Sequence, residues 1–173
     1  MEPQIQNLIH SKDRKFDLLI LEAYFGDCYV PFGRKFNIPT IKLSTFGGTN
    51  WMADWIGNPN ELAYVPDSYL PLSDKMTYLE RMLNVVIGVF IRLSRRYYLL
   101  PRMETILKEK FNDTSISMLK MEYSTSMLML NTHFSIGYPR PLLPNVVLVG
   151  GMHVKPPKKL PQVSSVFVYF CLF

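Results

Sequence analysis

The chain has 173 residues, of which 48% are hydrophobic and 19% are charged, and its formal net charge is +5. This composition provides a sizeable apolar core for about one domain and excludes wholesale disorder. The basic residues are scattered and form no dense run with interleaved aromatics, which argues against nucleic-acid binding. The longest apolar runs, "LNVVIGVFI" and "VFVYFCLF", are well short of the roughly 20 residues that a membrane helix needs.

The N-terminal residues 1–15 form a polar, charged stretch without the apolar segment of a signal peptide. As written, the sequence therefore predicts a chain that is neither exported nor membrane-spanning, and thus cytoplasmic. Cys28 and Cys171 provide neither a disulfide framework nor a metal-ligand spacing, so we expect no metal, and we expect Cys28 to be a small buried hydrophobe. Asn112 begins an Asn-Asp-Thr glycosylation sequon, a triplet that is common by chance but points to a secretory-pathway parent.

The first predicted elements form a βαβ unit. The apolar run "FDLLILEAYF" (Phe16–Phe25) predicts a buried strand with Glu22 near its carboxyl end. A short helix is expected to open near Asp27, with Pro31 in its first turn, and "IPTIKLSTF" predicts a second strand. Strand, helix and strand in so little space predict parallel pairing with a right-handed crossover.

The rest of the chain predicts a loop, several helical segments and two more strands. Residues 47–72 combine Gly, Asn and Pro with both tryptophans, which predicts a functional loop that lines or covers an apolar cavity. Ser73 and Asp74 predict a helix N-terminus, and Pro101 is expected to break or kink that helix. A short helix, "ISMLKMEY", precedes strands at 126–131 and 145–151. The sum is an α/β fold with a partial Rossmann-like, doubly wound parallel sheet.

The candidate chemical groups are carboxylates, because the sequence holds no phosphate-binding glycine motif or nucleophile motif. Ligands of open α/β sheets bind beyond the carboxyl ends of the strands. Glu22 and Asp27 follow such an end, and either could orient a histidine from a neighbouring strand and stabilise its charged form. Alternatively, Asp27 caps a helix and Glu22 is a buried acid bonded to backbone amides. His133 follows a predicted strand and could lie at the same edge, although a structural histidine is the simpler interpretation.

Four strings of the sequence carry a family resemblance. They are "FDLLILEAYFGDC", "KFNIPTIKLS", "GNPNELAYVPDSYLPLSDKMTYLERMLN" and "NTHFSIGYPRPLLPNVVLVGGMHVKPPKKLP". Together they resemble the N-terminal domain of animal UDP-glycosyltransferases, in particular the insect type, from about Phe16 to Pro161. The last string is the most diagnostic, since it combines a proline-rich turn, a strand and a Gly-Gly-x-His-x-Lys-Pro linker in fixed order.

The resemblance implies the N-terminal half of a GT-B architecture, in which two Rossmann-like domains face each other across a cleft. This half would bind a small lipophilic acceptor, and the other half would bind the UDP-sugar donor. The implied reaction is an inverting, metal-independent hexosyl transfer without a cofactor, in detoxification, by a parent protein of the endoplasmic reticulum. The resemblance implies that the general base is a histidine and that an acidic residue orients it. The position of this acid matches Glu22, with Asp27 as the alternative. The positions where relatives line the acceptor pocket match Thr45, Phe46, Trp51 and Trp55.

The same resemblance predicts how the chain is divided. Residues 1–15 are a polar tail, 16–151 a partial acceptor-binding domain lacking its first strands, 152–162 an interdomain linker and 163–173 an apolar tail unlike the family. The family's first strand with its histidine, its donor domain and its membrane anchor have no counterpart, so we expect the isolated chain to be inactive. The alternatives are a non-catalytic module that binds small molecules or associates with full-length relatives, and an incomplete gene model without function.

Overall fold

The computed structural model describes residues 3–11, 13–24, 26–152 and 154–155. Its regular elements are, in chain order, α1 (Pro3–His10), β1 (Leu19–Glu22), α2 (Pro31–Phe36), β2 (Thr40–Ser44), α3 (Tyr78–Ser94), α4 (Leu100–Phe111), α5 (Met118–Glu122), β3 (Thr125–Leu130) and β4 (Val146–Leu148). Short 3-10 helices span Asp27–Tyr29 and Asn50–Ile56, and a π-helical turn spans Arg95–Leu99.

The four strands form one sheet in the order β1-β2-β3-β4, and all three pairs are parallel. The short helix α2 connects β1 to β2, and the connection from β2 to β3 contains α3, α4 and α5. The predicted α/β fold, a partial Rossmann-like parallel sheet, is therefore confirmed, as is the βαβ unit at its start. Pro31 stands at the first turn of α2, where a missing backbone N–H breaks no helical hydrogen bond.

The hydrophobic core lies on one side of this sheet. Leu21, Lys42 and Leu128 are register partners across β1, β2 and β3, so their side chains point to the same side. One cluster of buried side chains joins Leu21 to α4 and α5, and a second joins Leu128 to the 3-10 helix Asn50–Ile56. On the opposite side Ile20 is exposed and Ile41 is only half-buried.

The predicted start of α3 at Ser73 and Asp74 is wrong by one turn. A capping box at Thr77 and Glu80 begins the helix instead. Glu80 N–H donates to Thr77 Oγ1 (3.4 Å), and Thr77 N–H donates to Glu80 Oε2 (2.7 Å). This reciprocal pair satisfies two backbone N–H groups that the first helical turn leaves without partners, whereas the Ser73 hydroxyl accepts only from the N–H of Lys75.

Pro101 was expected to break or kink the helix, but the helical run continues from α3 to α4 through a π turn. Pro101 stands in the first turn of α4, directly after the π-helical residues Arg95–Leu99. A π turn inserts one residue into a helix, so α3 and α4 follow each other with a change of helical phase rather than a loop.

Two further expectations differ from the structure, and several lie outside the described residues. Cys28 is exposed rather than buried, because the 3-10 turn Asp27–Tyr29 directs Asp27 inward instead. Residues Pro3–His10, expected to be a tail, form a helix in which Ile9 is buried. The predicted tail 163–173 and most of the linker are not among the described residues, so the domain division stays a prediction. No described helix is both long and apolar enough to span a membrane.

Asn84 anchors the long loop before α3 to the helix itself. Its side chain is fully buried, and its Oδ1 accepts from the N–H of Asp67 (2.8 Å). Its Nδ2 donates to the carbonyls of Leu62 (2.6 Å) and Val65 (2.9 Å). The loop backbone therefore depends on one amide for three of its hydrogen bonds.

We expect Asn84→Ala to lower the free energy of unfolding by about 2 to 4 kcal/mol, because buried backbone groups of the loop lose their partners. Urea unfolding followed by circular dichroism measures this change. The control is Val86→Ala, at an exposed position of the same helix, which should change the free energy by less than about 0.5 kcal/mol. Equal losses in the two variants would contradict the anchoring role of Asn84.

Candidate functional site

A cavity opens at the carboxyl edge of the sheet. The strands end at Glu22, Ser44, Leu130 and Leu148, and parallel pairing brings these ends to one edge. The cavity has a volume of about 550 Å³ and is formed by the loop after β2, by residues 65–72 and by the loop after β3. Its position and size are those of a binding site for a small molecule in an α/β fold.

The wall of this cavity is largely apolar, with a few polar groups. Apolar contacts come from Val65, Leu70, Leu72, Phe134, Ile136 and Leu142. The polar side chains at the cavity include those of Asn50, Asp67, His133 and Arg140. An apolar wall with a few fixed polar groups suits an amphipathic ligand, because the polar groups set its orientation.

Asp67 is the buried acceptor of the cavity. Its Oδ2 accepts from Asn50 Nδ2 (2.8 Å), and its Oδ1 accepts from the N–H of Tyr69 (3.0 Å). Both donors are neutral, and they stabilise the carboxylate without an ion pair. The N–H of Asp67 donates to Asn84, so this acceptor is fixed through the same amide that anchors the loop.

His133 lines the same cavity, directly after β3. Its Nδ1 lies 2.7 Å from Ser135 Oγ and accepts from the N–H of Ser135 (3.3 Å). Because a backbone N–H is only a donor, this contact assigns Nδ1 as the acceptor, and the neutral ring carries its proton on Nε2. His133 thus lies at the carboxyl edge of the sheet, a position that the sequence allowed, and its role there stays a prediction.

Arg140 connects two of the loops that form the cavity. Its Nη2 donates to the carbonyl of Gly47, so the loop after β3 is tied to the loop after β2. Burial lowers the pKa of this guanidinium from its ordinary value, but arginine remains charged at neutral pH. Arg140 therefore places a positive charge beside an apolar cavity.

Three of the predicted site residues lie near this edge without lining the cavity. Glu22 is exposed at the carboxyl end of β1. Thr45 is exposed, and its carbonyl accepts from Asn131 Nδ2 (3.0 Å). Phe46 packs edge-on against Tyr24, with 5.2 Å between ring centroids. The catalytic role of Glu22 and the acceptor contacts of Thr45 and Phe46 stay predictions.

Asp27 lies in a buried ion cluster. Arg95 Nη2 is 2.8 Å from Asp27 Oδ2 and also contacts Glu122 Oε1. Lys42 Nζ is 3.9 Å from Asp27 Oδ1. Burial raises the pKa of Glu122, while the charges of Arg95 and Lys42 oppose that rise. The carboxylate of Asp27 thus pairs with two buried cations. The predicted role of Asp27 in orienting a histidine stays a prediction.

Trp51 and Trp55 join this ion cluster to the aromatic side chains at the edge. The Arg95 guanidinium lies 4.1 Å from the ring centroid of Trp51, and Lys42 Nζ lies 3.2 Å from that of Trp55. Burial and the hydroxyl of Tyr24 raise the pKa of Tyr69 to about 12. The acceptor contacts of both tryptophans stay predictions, since neither lines the 550 Å³ cavity.

The residues that the sequence did not single out are Asn50, Asp67 and Arg140. Asp67 lies in the aromatic loop 47–72, which was expected to line a cavity. Arg140 lies in the "YPRPLLP" turn that follows a predicted strand. Its position beyond the carboxyl end of that strand could have identified it as a candidate binding residue. Among the described residues, no group of three or more His, Cys, Asp or Glu side chains is placed to hold a metal.

The fold and the cavity together define a class, namely a Rossmann-like α/β domain with a cavity at the carboxyl edge of its parallel sheet. One family model matches nearly the whole chain. The family model described as "UDP-glucoronosyl and UDP-glucosyl transferase" matches residues 5–170, which includes parts of both segments that were expected to lie outside the domain. The chain belongs to the UDP-glycosyltransferase family, as its sequence resemblance predicted.

Individual relatives come from insects and vertebrates. The chain is 34% identical to UDP-glycosyltransferase UGT4 of Dactylopius coccus over 167 residues, which are 92% of this chain and 32% of that protein. It is 34% identical to 2-hydroxyacylsphingosine 1-beta-galactosyltransferase of Homo sapiens over 151 residues, which are 87% of this chain and 27% of that protein. The chain thus spans about a third of the length of such relatives. No solved structure matches it.

The buried lysine of the ion cluster predicts a pH dependence of stability. Burial lowers the pKa of Lys42 to about 8, against an ordinary value of 10.5. Between these values the unfolded chain binds more protons than the folded chain, so the free energy of unfolding rises with pH. We expect a rise of about 1 to 3 kcal/mol from pH 8 to pH 10 that Lys42→Met abolishes.

Urea unfolding at pH 7, 8, 9 and 10 measures this dependence. The range stops near pH 10 because the raised pKa of Tyr69 lowers stability as the pH rises beyond it. Lys75→Met, at an exposed lysine, is the control and should keep the native slope. Parallel profiles of the native chain and Lys42→Met would show that Lys42 keeps an ordinary pKa.

Proposed function

We propose that this chain is the acceptor-binding part of an enzyme that transfers a hexosyl group from a UDP-sugar to a hydroxyl of a small lipophilic molecule. The observation that carries the proposal is the largely apolar 550 Å³ cavity at the carboxyl edge of a UDP-glycosyltransferase chain. Support for a lipophilic acceptor also comes from a relative that is named for 2-hydroxyacylsphingosine.

The polar groups of the cavity suit a hydroxyl-bearing ligand. The carboxylate of Asp67 can accept from a hydroxyl, whereas His133 Nε2–H and the guanidinium of Arg140 can donate to its oxygen. The apolar side chains Phe134 and Ile136 are largely exposed at the cavity, so they offer contact area to the hydrophobic body of a ligand.

Transfer requires the acceptor hydroxyl to lose its proton, and in an inverting, metal-independent reaction a general base takes it. We assign no residue of this chain as that base. The acid that orients the base is Glu22 rather than Asp27, because Glu22 is exposed at the carboxyl end of β1 while Asp27 pairs with Arg95 in the core.

We place the UDP-sugar site in sequence beyond this chain, because the relatives are about three times as long. By itself, the chain should therefore bind an acceptor without transferring sugar to it. We also assign the whole protein to the endoplasmic reticulum. The exposed position of Asn112, at the C-terminus of α4, is compatible with glycosylation there.

A second candidate function is that of a non-catalytic module that binds apolar small molecules, alone or beside a full-length relative. The specific observation in its favour is that the described residues form the cavity by themselves. The two candidates differ in whether the protein that contains this chain turns over UDP-sugar.

Acceptor binding is tested with Phe134→Asp, in which a charge replaces a ring that is 78% exposed at the cavity. Titration of the chain with a fluorescent 7-hydroxycoumarin should give a dissociation constant that Phe134→Asp raises at least about tenfold, since each tenfold change corresponds to about 1.4 kcal/mol. The control is Phe90→Asp on α3, at a ring that is 64% exposed and does not line the cavity, and it should change little.

Equal weakening in both variants, or no binding to the native chain, would contradict the assignment of the acceptor cavity. Incubation with radiolabelled UDP-sugar separates the two functions. The full-length protein should label the coumarin and the 173-residue chain should not. Labelling by the short chain would overturn the placement of the donor site, and a full-length protein that binds without labelling would favour the second candidate.

A further inference from the structure

The face of α3 that points away from the domain is apolar, which reverses the usual arrangement of a surface helix. The buried residues of α3 are polar or small, namely Asn84 and Gly88. Gly88 packs so closely that an added Cβ would lie 2.7 Å from the side chain of Leu62. The seven residues of the opposite face, here called the α3 stripe, are each between 42% and 75% exposed: Leu79, Met82, Leu83, Val86, Val89, Phe90 and Leu93.

The α3 stripe is continuous and uninterrupted by charge. At 100° per residue its seven side chains lie within an arc of about 120°, and at 1.5 Å per residue the stripe is about 21 Å long. Every position of α3 within that arc is apolar. None of the seven residues lines the cavity at the carboxyl edge. A contiguous exposed apolar patch of this kind marks a surface that contacts a protein or a membrane.

The charges around the α3 stripe have one sign. Arg81 stands beside the stripe on α3, and Arg96 and Arg102 follow its C-terminal end, all three exposed. In the described part of the chain, none of these three forms an ion pair with a carboxylate. The one acid of α3, Glu80, accepts hydrogen bonds from Thr77 in the capping box. A second copy of the chain would bring the same positive rim, whereas an anionic surface complements it.

Tyrosines stand at both ends of the α3 stripe. Tyr78 is 75% exposed at the first residue of the helix, and Tyr97 and Tyr98 are exposed just beyond its last residue. The guanidinium of Arg102 lies 3.9 Å from the ring centroid of Tyr98. A tyrosine has an apolar ring and a polar hydroxyl, so it suits the boundary between lipid and water. An apolar stripe with tyrosines at its ends and arginines beside it is typical of a helix that lies in a membrane interface.

We propose that α3 docks on an anionic lipid surface, with its axis in the plane of the membrane. The α3 stripe enters the boundary between headgroups and acyl chains, and the guanidinium groups of Arg81, Arg96 and Arg102 pair with anionic headgroups. This contact needs no helix that spans the membrane. It is also independent of the acceptor proposal, because the stripe and the cavity share no residue.

The test is flotation of the native chain with lipid vesicles on a density gradient. One set of vesicles is phosphatidylcholine with about one third phosphatidylserine, and the neutral reference is phosphatidylcholine alone. At low salt we expect the partition coefficient to be at least about tenfold higher for the anionic vesicles, and added salt should shrink that difference by screening. Absence of flotation, or equal flotation with both vesicles, would overturn the proposal.

Variants separate the apolar contribution from the electrostatic one. Phe90→Asp places a charge within the stripe and should lower partition into anionic vesicles at least about tenfold. Its matched control is Ile20→Asp, at a side chain that is 61% exposed on the opposite side of the sheet, and it should float like the native chain. Arg81→Gln combined with Arg102→Gln leaves the stripe intact and should remove most of the preference for anionic vesicles.

Thermal melts followed by circular dichroism show which variants remain folded, and the arginine variant decides if Phe90→Asp does not fold. Native partition in a folded variant of either kind would refute the lipid contact.

A second copy of the chain is the competing occupant of the α3 stripe. Sedimentation velocity without lipid tests it, and we expect the native chain and Phe90→Asp to sediment alike. A native dimer that Phe90→Asp converts to a monomer would identify the stripe as an interface between copies and would reject the lipid surface. Either result leaves the acceptor cavity untouched, because coumarin binding is measured without lipid and Phe90 does not line that cavity.

Discussion

Arg95 holds the described part of the chain together, because one guanidinium pairs with two buried carboxylates that come from distant segments. It contacts Asp27 after β1 at 2.8 Å and Glu122 at the end of α5. Lys42 adds a third element, the inner strand β2. Removing one partner of a buried ion pair typically costs about 3 to 5 kcal/mol, since the remaining charge stays desolvated. The packing of helices on the sheet therefore depends on this cluster.

The same cluster also supports the functional edge of the sheet. Arg95 stacks on Trp51, the ring of Trp51 lies 6.5 Å from that of Tyr24, and the hydroxyls of Tyr24 and Tyr69 meet at 2.8 Å. These contacts run from the core to the loop that follows β1. The loops that form the large cavity lie beside them and are fixed by neutral hydrogen bonds, of which those of Asn84 are the most buried. The buried ion cluster thus fixes the helices on the sheet, whereas neutral hydrogen bonds fix the loops that form the cavity.

The fold was predictable because its signals are local. Short apolar runs, a proline at a helix start and a crossover too short for anything but a βαβ unit are all visible within a few residues. The site was less predictable because its contacts are distant. Arg140 reaches Gly47 across 93 positions, and Asn50 reaches Asp67 across 17. Lys42 interrupts an apolar strand, and only the packed structure supplies the carboxylates that make its burial possible.

The π turn between α3 and α4 has a geometric consequence. An α-helix advances about 100° per residue, so the one residue that the turn adds sets the angular offset between the two helices. Leu100 and Leu107, which are 4% and 2% exposed, face the core only because of that offset. Loss of a single residue within 95–99 would rotate the whole of α4 about its axis by roughly a quarter of a revolution, which would turn Leu100 and Leu107 away from the core without altering any residue of the helix.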